Sequence, residues 1–201
     1  MDKIKKSSVP IKSDLPIIPF ELIREWESWL EQNHNTSIGI WIRFFKKASG
    51  ITMIAYSQAL DEALCFGWID GLAKTYDEYS YIQKFTPRRS KSIWSKRSIE
   101  HISRLEKEGR MRAPGLKEAG AAKSDGRWEK AYDSPGSMTI PKDFLAELSK
   151  NKEAFAFYES LNRANKYAIG WRLQTAKKTE TRKKRMNAIL QMLAKGEKFH
   201  N

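Results

Sequence analysis

Apolar side chains fall at Leu22, Ile23, Trp26, Trp29 and Leu30. This i, i+1, i+4, i+7, i+8 spacing draws one stripe along a helix. Pro19 can open it, because a proline in the first turn gives up no needed N–H bond. Asn33 to Thr36 reads as a loop. The period then changes to two: Ile38, Ile40 and Ile42 alternate with Gly39, Trp41 and Arg43, and β-branched residues suit a strand. Ser57 can cap a second helix with Leu60, Ala63 and Leu64 on its inner face, and Gly67 can end it in the left-handed conformation. Trp68 to Leu72 and Tyr79 to Phe85 predict two more strands across the polar turn Thr75 to Glu78.

Beyond Pro87 the pattern is helical. Ser95 is placed to cap a helix carrying Ile99, Ile102 and Leu105, which Gly109 stops. Gly115, Gly120, Gly126 and Pro135 interrupt a connecting stretch around a short helix. Pro141 can open another helix over Phe144, Leu145 and Leu148, and Phe155, Tyr158 and Leu161 continue the series. Two stripes close the chain, Ala164, Tyr167, Ala168, Trp171 and Met186, Ile189, Leu190, Leu193. They predict an antiparallel helix pair with Trp171 buried between its members. The fold class expected is α+β: an N-terminal antiparallel sheet with helices, then an all-helical part. The expected segments are a flexible arm over 1–18, an α/β domain over 19–112, a connector over 113–140 and a helical domain over 141–201.

The chain has 201 residues, with 37 Lys and Arg against 24 Asp and Glu, a formal charge of +13. The surplus is uneven: +7 over residues 83–112 and +9 over 161–201, against −4 over 21–82. Hydrophobic content of 40% and 7 Trp exclude a disordered chain. Cys65 is alone, so no internal disulfide forms, and a reducing compartment is the simplest setting. Prolines 10, 16 and 19 break any signal-peptide core, and no run approaches the ~18 apolar residues of a membrane span. A cytoplasmic location is expected. The three histidines stand far apart without cysteine companions, so neither a metal site nor a cofactor is expected.

Candidate chemistry follows the charge. Lys177, Arg182, Lys183, Lys184 and Arg185 crowd the start of the last helix, where positive charge opposes the helix dipole at a few tenths of a kcal/mol per residue. That points either to an anion-binding face or to a solvated basic surface. Arg88, Arg89, Lys96 and Arg97 form a second block. Arginine forks match phosphate or carboxylate, and Trp94 can stack on a base or anchor the core. The same arginines can instead pair with the acidic first third, Asp70 included. Cys65, at a helix C-terminus, reads as a buried, inert thiol. Trp68, Asp70, Trp94 and His101 are the candidates for a pocket. No phosphate loop, nucleophile elbow or dinucleotide fingerprint is present.

Several ordered motifs carry a family resemblance: Cys65-Phe66-Gly67-Trp68-Ile69-Asp70-Gly71, Phe85 through Lys96, Gly109 through Asp133, and Ala176 through Arg185. Together these resemble the YdeI/OmpD-associated family over about residues 20–198. Ser98 stands where that family's Trp-Ser-x-x-Asn pattern has Asn. The resemblance implies a YjbR/CyaY-like N-terminal part, a helical C-terminal part, and an association with bacteriocin protection and tolerance of cationic antimicrobial peptides. It implies no catalytic residue. The function expected is a cytoplasmic, non-enzymatic stress or peptide-tolerance protein that binds an anionic partner: nucleic acid, an acidic protein or an anionic membrane surface. The alternative is a small enzyme acting on a phosphorylated or carboxylated metabolite, with Arg88 and Arg89 holding the anion and Asp70 or His101 moving protons.

Overall fold

In a computed structural model of the chain, residues 15–200 are described. The chain is α+β, with a four-stranded sheet and helices first and a helical region after it. The first strand, β1 (Ile17–Ile18), is only two residues long. The apolar stripe predicted from Pro19 forms α1 (Ile23–Asn33), where the Glu25 carboxylate accepts from the N–H groups of Glu21 and Leu22 and so satisfies the exposed helix start. Next come β2 (Ile40–Phe45), α2 (Tyr56–Cys65), β3 (Trp68–Thr75) and β4 (Ser80–Pro87), in the sheet order β1-β2-β4-β3.

The β3–β4 ladder is antiparallel, as the short polar turn between them requires, and so is the β2–β4 ladder, but β1 runs parallel to β2. The sheet is therefore mixed. A parallel neighbour needs a crossover, and α1 supplies it. Ser57 lies inside the first turn of α2; the Gln58 side chain accepts from the Ala55 N–H in its place. Trp26 is fully buried, donates its indole N–H to the Ala59 carbonyl of α2, and packs against Trp68 and Phe85. Burying each such side chain contributes roughly 1.5–3 kcal/mol.

The rest is helical: α3 (Lys96–Lys107), α4 (Ala113–Ser124), α5 (Lys142–Leu148), α6 (Lys152–Ser160), α7 (Arg163–Gln174) and α8 (Thr179–Ala194). The structure divides into two units. One takes the described residues up to Ser92 with Glu100–Trp128; the other takes Ile93–Ile99 with Glu129 onward. The second unit's core joins Phe144, Leu148, Tyr158, Leu161, Ile169, Leu173, Ile189 and Leu193. Trp171 is not at the centre of that core. It is half-buried and meets Tyr132 edge-on at 6.2 Å, because the inward face of α7 is Ala168, Ile169 and Leu173, one step round from the expected stripe.

Within the second unit Ile93–Ile99 is tied in by backbone bonds. Tyr132 N–H donates to the Trp94 carbonyl, and Lys96 N–H donates to the Tyr132 carbonyl. The anchor beside them is Asp133, whose side chain is 8% exposed. It accepts from Lys96 Nζ at 2.6 Å, Gln174 Nε2 at 2.8 Å and the Thr139 N–H at 3.2 Å. Burial alone would raise its pKa, but these donors hold it below the usual carboxylate range.

Candidate functional site

The first unit places an open cleft of about 470 Å³ where three chain reversals meet. Helix α2 ends at Gly67, with φ +74°, a conformation that glycine adopts without strain. Trp68 then pairs in register with Pro87, and Arg88 N–H donates to the Gly67 carbonyl, so Arg88 follows directly beside Trp68. The start of α4 closes in from the other side. A Cβ on Gly115 would lie 2.3 Å from the Cys65 carbonyl oxygen, so only glycine allows this approach. The cleft wall includes Phe66, Trp68, Arg88, His34 and Lys117, with Glu118 as its one carboxylate.

Arg88 is 8% exposed, a guanidinium held within the fold at the edge of a cleft. His34 Nδ1 lies 2.9 Å from the Leu30 carbonyl, which only a ring N–H can satisfy, and the His34 carbonyl accepts from the Trp68 indole. His34 and Lys117 carried no signal in the sequence, since Trp68 and Arg88, with which they share the cleft, lie tens of residues away.

Trp68 and Arg88 are thus brought together; the other candidates go elsewhere. Asp70 does not pair with an arginine of the basic block: it accepts from the Tyr56 hydroxyl at 2.7 Å. His101 Nδ1 meets Asp61 at 2.7 Å, and Arg104 bonds the other Asp61 oxygen at 2.6 Å. Desolvation pushes Asp61 up, but those two partners win and hold its pKa low. Burial, helped by the charge of Glu62, pushes the Cys65 thiol up to about 12, which keeps it an unreactive thiol. Trp94 is buried, so it presents no stacking face. Ser98 bonds Ser95 through both its hydroxyl and its N–H, completing the cap of α3. Arg89 and Arg97 are exposed, and Lys96 is committed to Asp133.

The C-terminal basic run separates by residue type. Arg182 grips Asp143 at the start of α5 with two bonds, 2.6 and 2.8 Å. Arg185 donates to the Arg172 carbonyl and the Thr175 hydroxyl at the end of α7. Lys177, Lys178 and Lys183 are exposed, with no ion pair among the described residues, and Lys184 meets Glu180 where both are nearly four-fifths exposed. Arginine forks hold helices together here, and lysines line the water.

Charge divides the same way between the units. The described part of the first has 16 Lys and Arg against 14 Asp and Glu; the second has 17 against 8. Among the described residues no cluster of His, Cys, Asp and Glu could hold a metal ion, and no helix is long and apolar enough to cross a membrane.

Residues 137–196 match the family described as bacteriocin-protection, YdeI or OmpD-associated. Residues 18–118 match a different one, a domain of unknown function (DUF8412). The expectation of a YjbR/CyaY-like N-terminal part is therefore corrected, since the matching family there is another. Of the motifs that suggested the resemblance, only Ala176 through Arg185 lies inside the bacteriocin-protection match. No curated protein and no solved structure matches the chain. With half of its length matched, the chain belongs to the DUF8412 family, and the similarity to the bacteriocin-protection, YdeI or OmpD-associated family is confined to residues 137–196.

Proposed function

We propose that the protein is a non-enzymatic binding protein whose C-terminal unit docks a polyanion, nucleic-acid duplex in particular, through the lysines at the head of α8. The observation that carries this is the exposure of Lys177, Lys178 and Lys183 without ion pairs among the described residues, in a unit with 17 cationic against 8 anionic side chains. A helix start loaded with cations costs stability rather than adding it, so a partner that neutralises them gives the arrangement a use. Helix α8 has no aromatic residue to stack on bases, and none of the large exposed hydrophobics belongs to it. Phosphate contact therefore fits better than single-strand stacking or membrane insertion.

The same reading places the protein in the cytoplasm and makes any protection against cationic peptides indirect. A net charge of +13 repels such a peptide. Fluorescence anisotropy with a labelled DNA duplex, a single strand and anionic vesicles tests the proposal. Duplex should bind tightest at low salt. Preference for vesicles, or no binding to any of the three, would overturn it.

A second reading, the handling of a small anionic metabolite, is favoured by Arg88 beside Trp68, His34 and Lys117 in the first unit's cleft. Asp70 and His101 do not line that cleft, so a proton-transfer role for them is dropped from it.

A further inference from the structure

The second unit contains a cleft of about 390 Å³ that none of the family matches assigns to a ligand. Its floor and walls are apolar: Met138, Ile140, Leu161 and the ring of Tyr167. Its rim carries Arg163 and Lys166, and no carboxylate lines it. The wall is built rather than incidental. The segment bearing Met138 and Ile140 is pinned by Thr139 N–H to Asp133 at 3.2 Å and by Gln174 Nε2 to the Thr139 carbonyl at 3.1 Å. On the other side Arg163 Nε donates to the Pro135 carbonyl. Met138 lies flat on α7, since a Cβ on Gly170 would sit 2.5 Å from its sulfur.

The two cations are held without being neutralised. Arg163 uses Nε on Pro135 and has no ion pair among the described residues. Lys166 Nζ donates to the Glu159 carbonyl at 3.0 Å and sits 5.1 Å above the Tyr158 ring, again without a carboxylate. A neutral carbonyl and a ring face orient an ammonium but leave its charge to be met. A cleft of this size suits a small molecule. Its chemistry asks for an anionic head at one end and an apolar body at the other.

We infer that this cleft binds a small amphipathic anion, with its carboxylate or phosphate head on Arg163 and Lys166 and its alkyl or aryl body on Met138, Ile140 and Leu161. The site is separate from the α8 lysines and stands independently of the polyanion reading.

The test uses the full chain, titrated with octanoate, octyl phosphate, octanol, octylammonium and acetate by calorimetry, with amide and methyl NMR shifts locating the site. Octanoate or octyl phosphate should bind and shift Gly136 and the Met138 methyl; which of the two binds tighter sets the head group. Octanol, octylammonium and acetate should bind at least tenfold more weakly. Arg163→Gln with Lys166→Gln should weaken octanoate at least tenfold, while Lys177→Gln with Lys183→Gln should leave it unchanged. Met138→Ala, which spares both cations, should weaken octanoate without a matching loss of thermal stability. Octanol binding as well as octanoate, affinity untouched by the Arg163 and Lys166 changes, or shifts confined to α8 would each overturn the assignment.

Discussion

The two units use charge in opposite ways. In the first, cations reach acids far away in sequence: Arg43 to Asp77, Arg104 to Asp61, Arg110 to Glu62 and Arg112 to Glu27. Charge there is spent joining elements, and the unit comes out near neutral. In the second, the cross-element pairs are few, Arg182 with Asp143 and Lys96 with Asp133; Lys150 and Lys184 meet only acids three or four residues away, and Lys177, Lys178 and Lys183 stand in water. A basic surplus that fold stability required would be paired across elements; Lys177, Lys178 and Lys183 have no ion pair among the described residues. The difference separates basic residues that hold the chain together from basic residues left for something else.

The largest effect should come from the first unit's core. Trp26→Ala empties a fully buried site and removes the bond to Ala59, and should cost about 3–5 kcal/mol in chemical denaturation. A loss below ~1 kcal/mol would mean that the unit does not rest on its aromatic cluster. Next is Asp133→Ala, which strands Gln174 and the Thr139 N–H and leaves Lys96 without its carboxylate. It should cost about 1–3 kcal/mol and should loosen Ile93–Ile99 in hydrogen exchange.

Acid should expose the same anchor. The folded pKa of Asp133 lies below its unfolded value, so its contribution is fully present above the ordinary carboxylate range of about 4 and is lost as pH falls through the folded value. Asp61 behaves likewise in the first unit. Glu62 has the opposite sign: desolvation outweighs Arg110 and raises its pKa, so its ionisation opposes folding as pH rises. Asp133→Asn should flatten the loss of stability between about pH 5 and pH 3 relative to the wild type. An unchanged slope would remove Asp133 from the account.

The contrast between arginine and lysine can be sharpened within one helix. Arg182→Gln breaks a partly exposed two-bond pair and should cost about 0.5–1 kcal/mol. Replacing Lys177, Lys178 and Lys183 together with Gln should cost less in total than Arg182→Gln, because these exposed side chains make no ion pair among the described residues and removing cations from a helix start relieves the dipole. A triple variant less stable than Arg182→Gln would erase the distinction on which the functional reading rests.

Much of this architecture was legible because local pattern and tertiary packing agree. Trp26 and Leu30 fall on the predicted stripe and are fully buried. Ser95 caps α3 as its position suggested, and Gly67 and Gly109 end helices with positive φ. What was hidden depends on partners distant in sequence. A two-residue strand has no periodicity to read, so the parallel β1–β2 pairing could not be seen. Ile169 and Leu173 are as apolar as Trp171, and the packing of α5, α6 and α8 residues around them decides which face turns inward. The basic run looked uniform because Lys and Arg count alike in a charge sum; Asp143 and the Arg172 carbonyl, which sort them, lie 39 and 13 residues away. His34 joins the first cleft through Trp68, 34 residues on.

The most direct measurement is the salt dependence of duplex DNA binding for the wild type and the Lys177, Lys178, Lys183 triple Gln variant, both shown to be folded. Each phosphate contact contributes about 0.9 to the magnitude of the log–log slope. The account predicts steep weakening with salt for the wild type and a slope shallower by up to about 2.7 for the triple variant, with Arg182→Gln keeping the wild-type slope. Equal slopes for the wild type and the triple variant, or no duplex binding at low salt, would contradict the claim that these lysines form the binding surface.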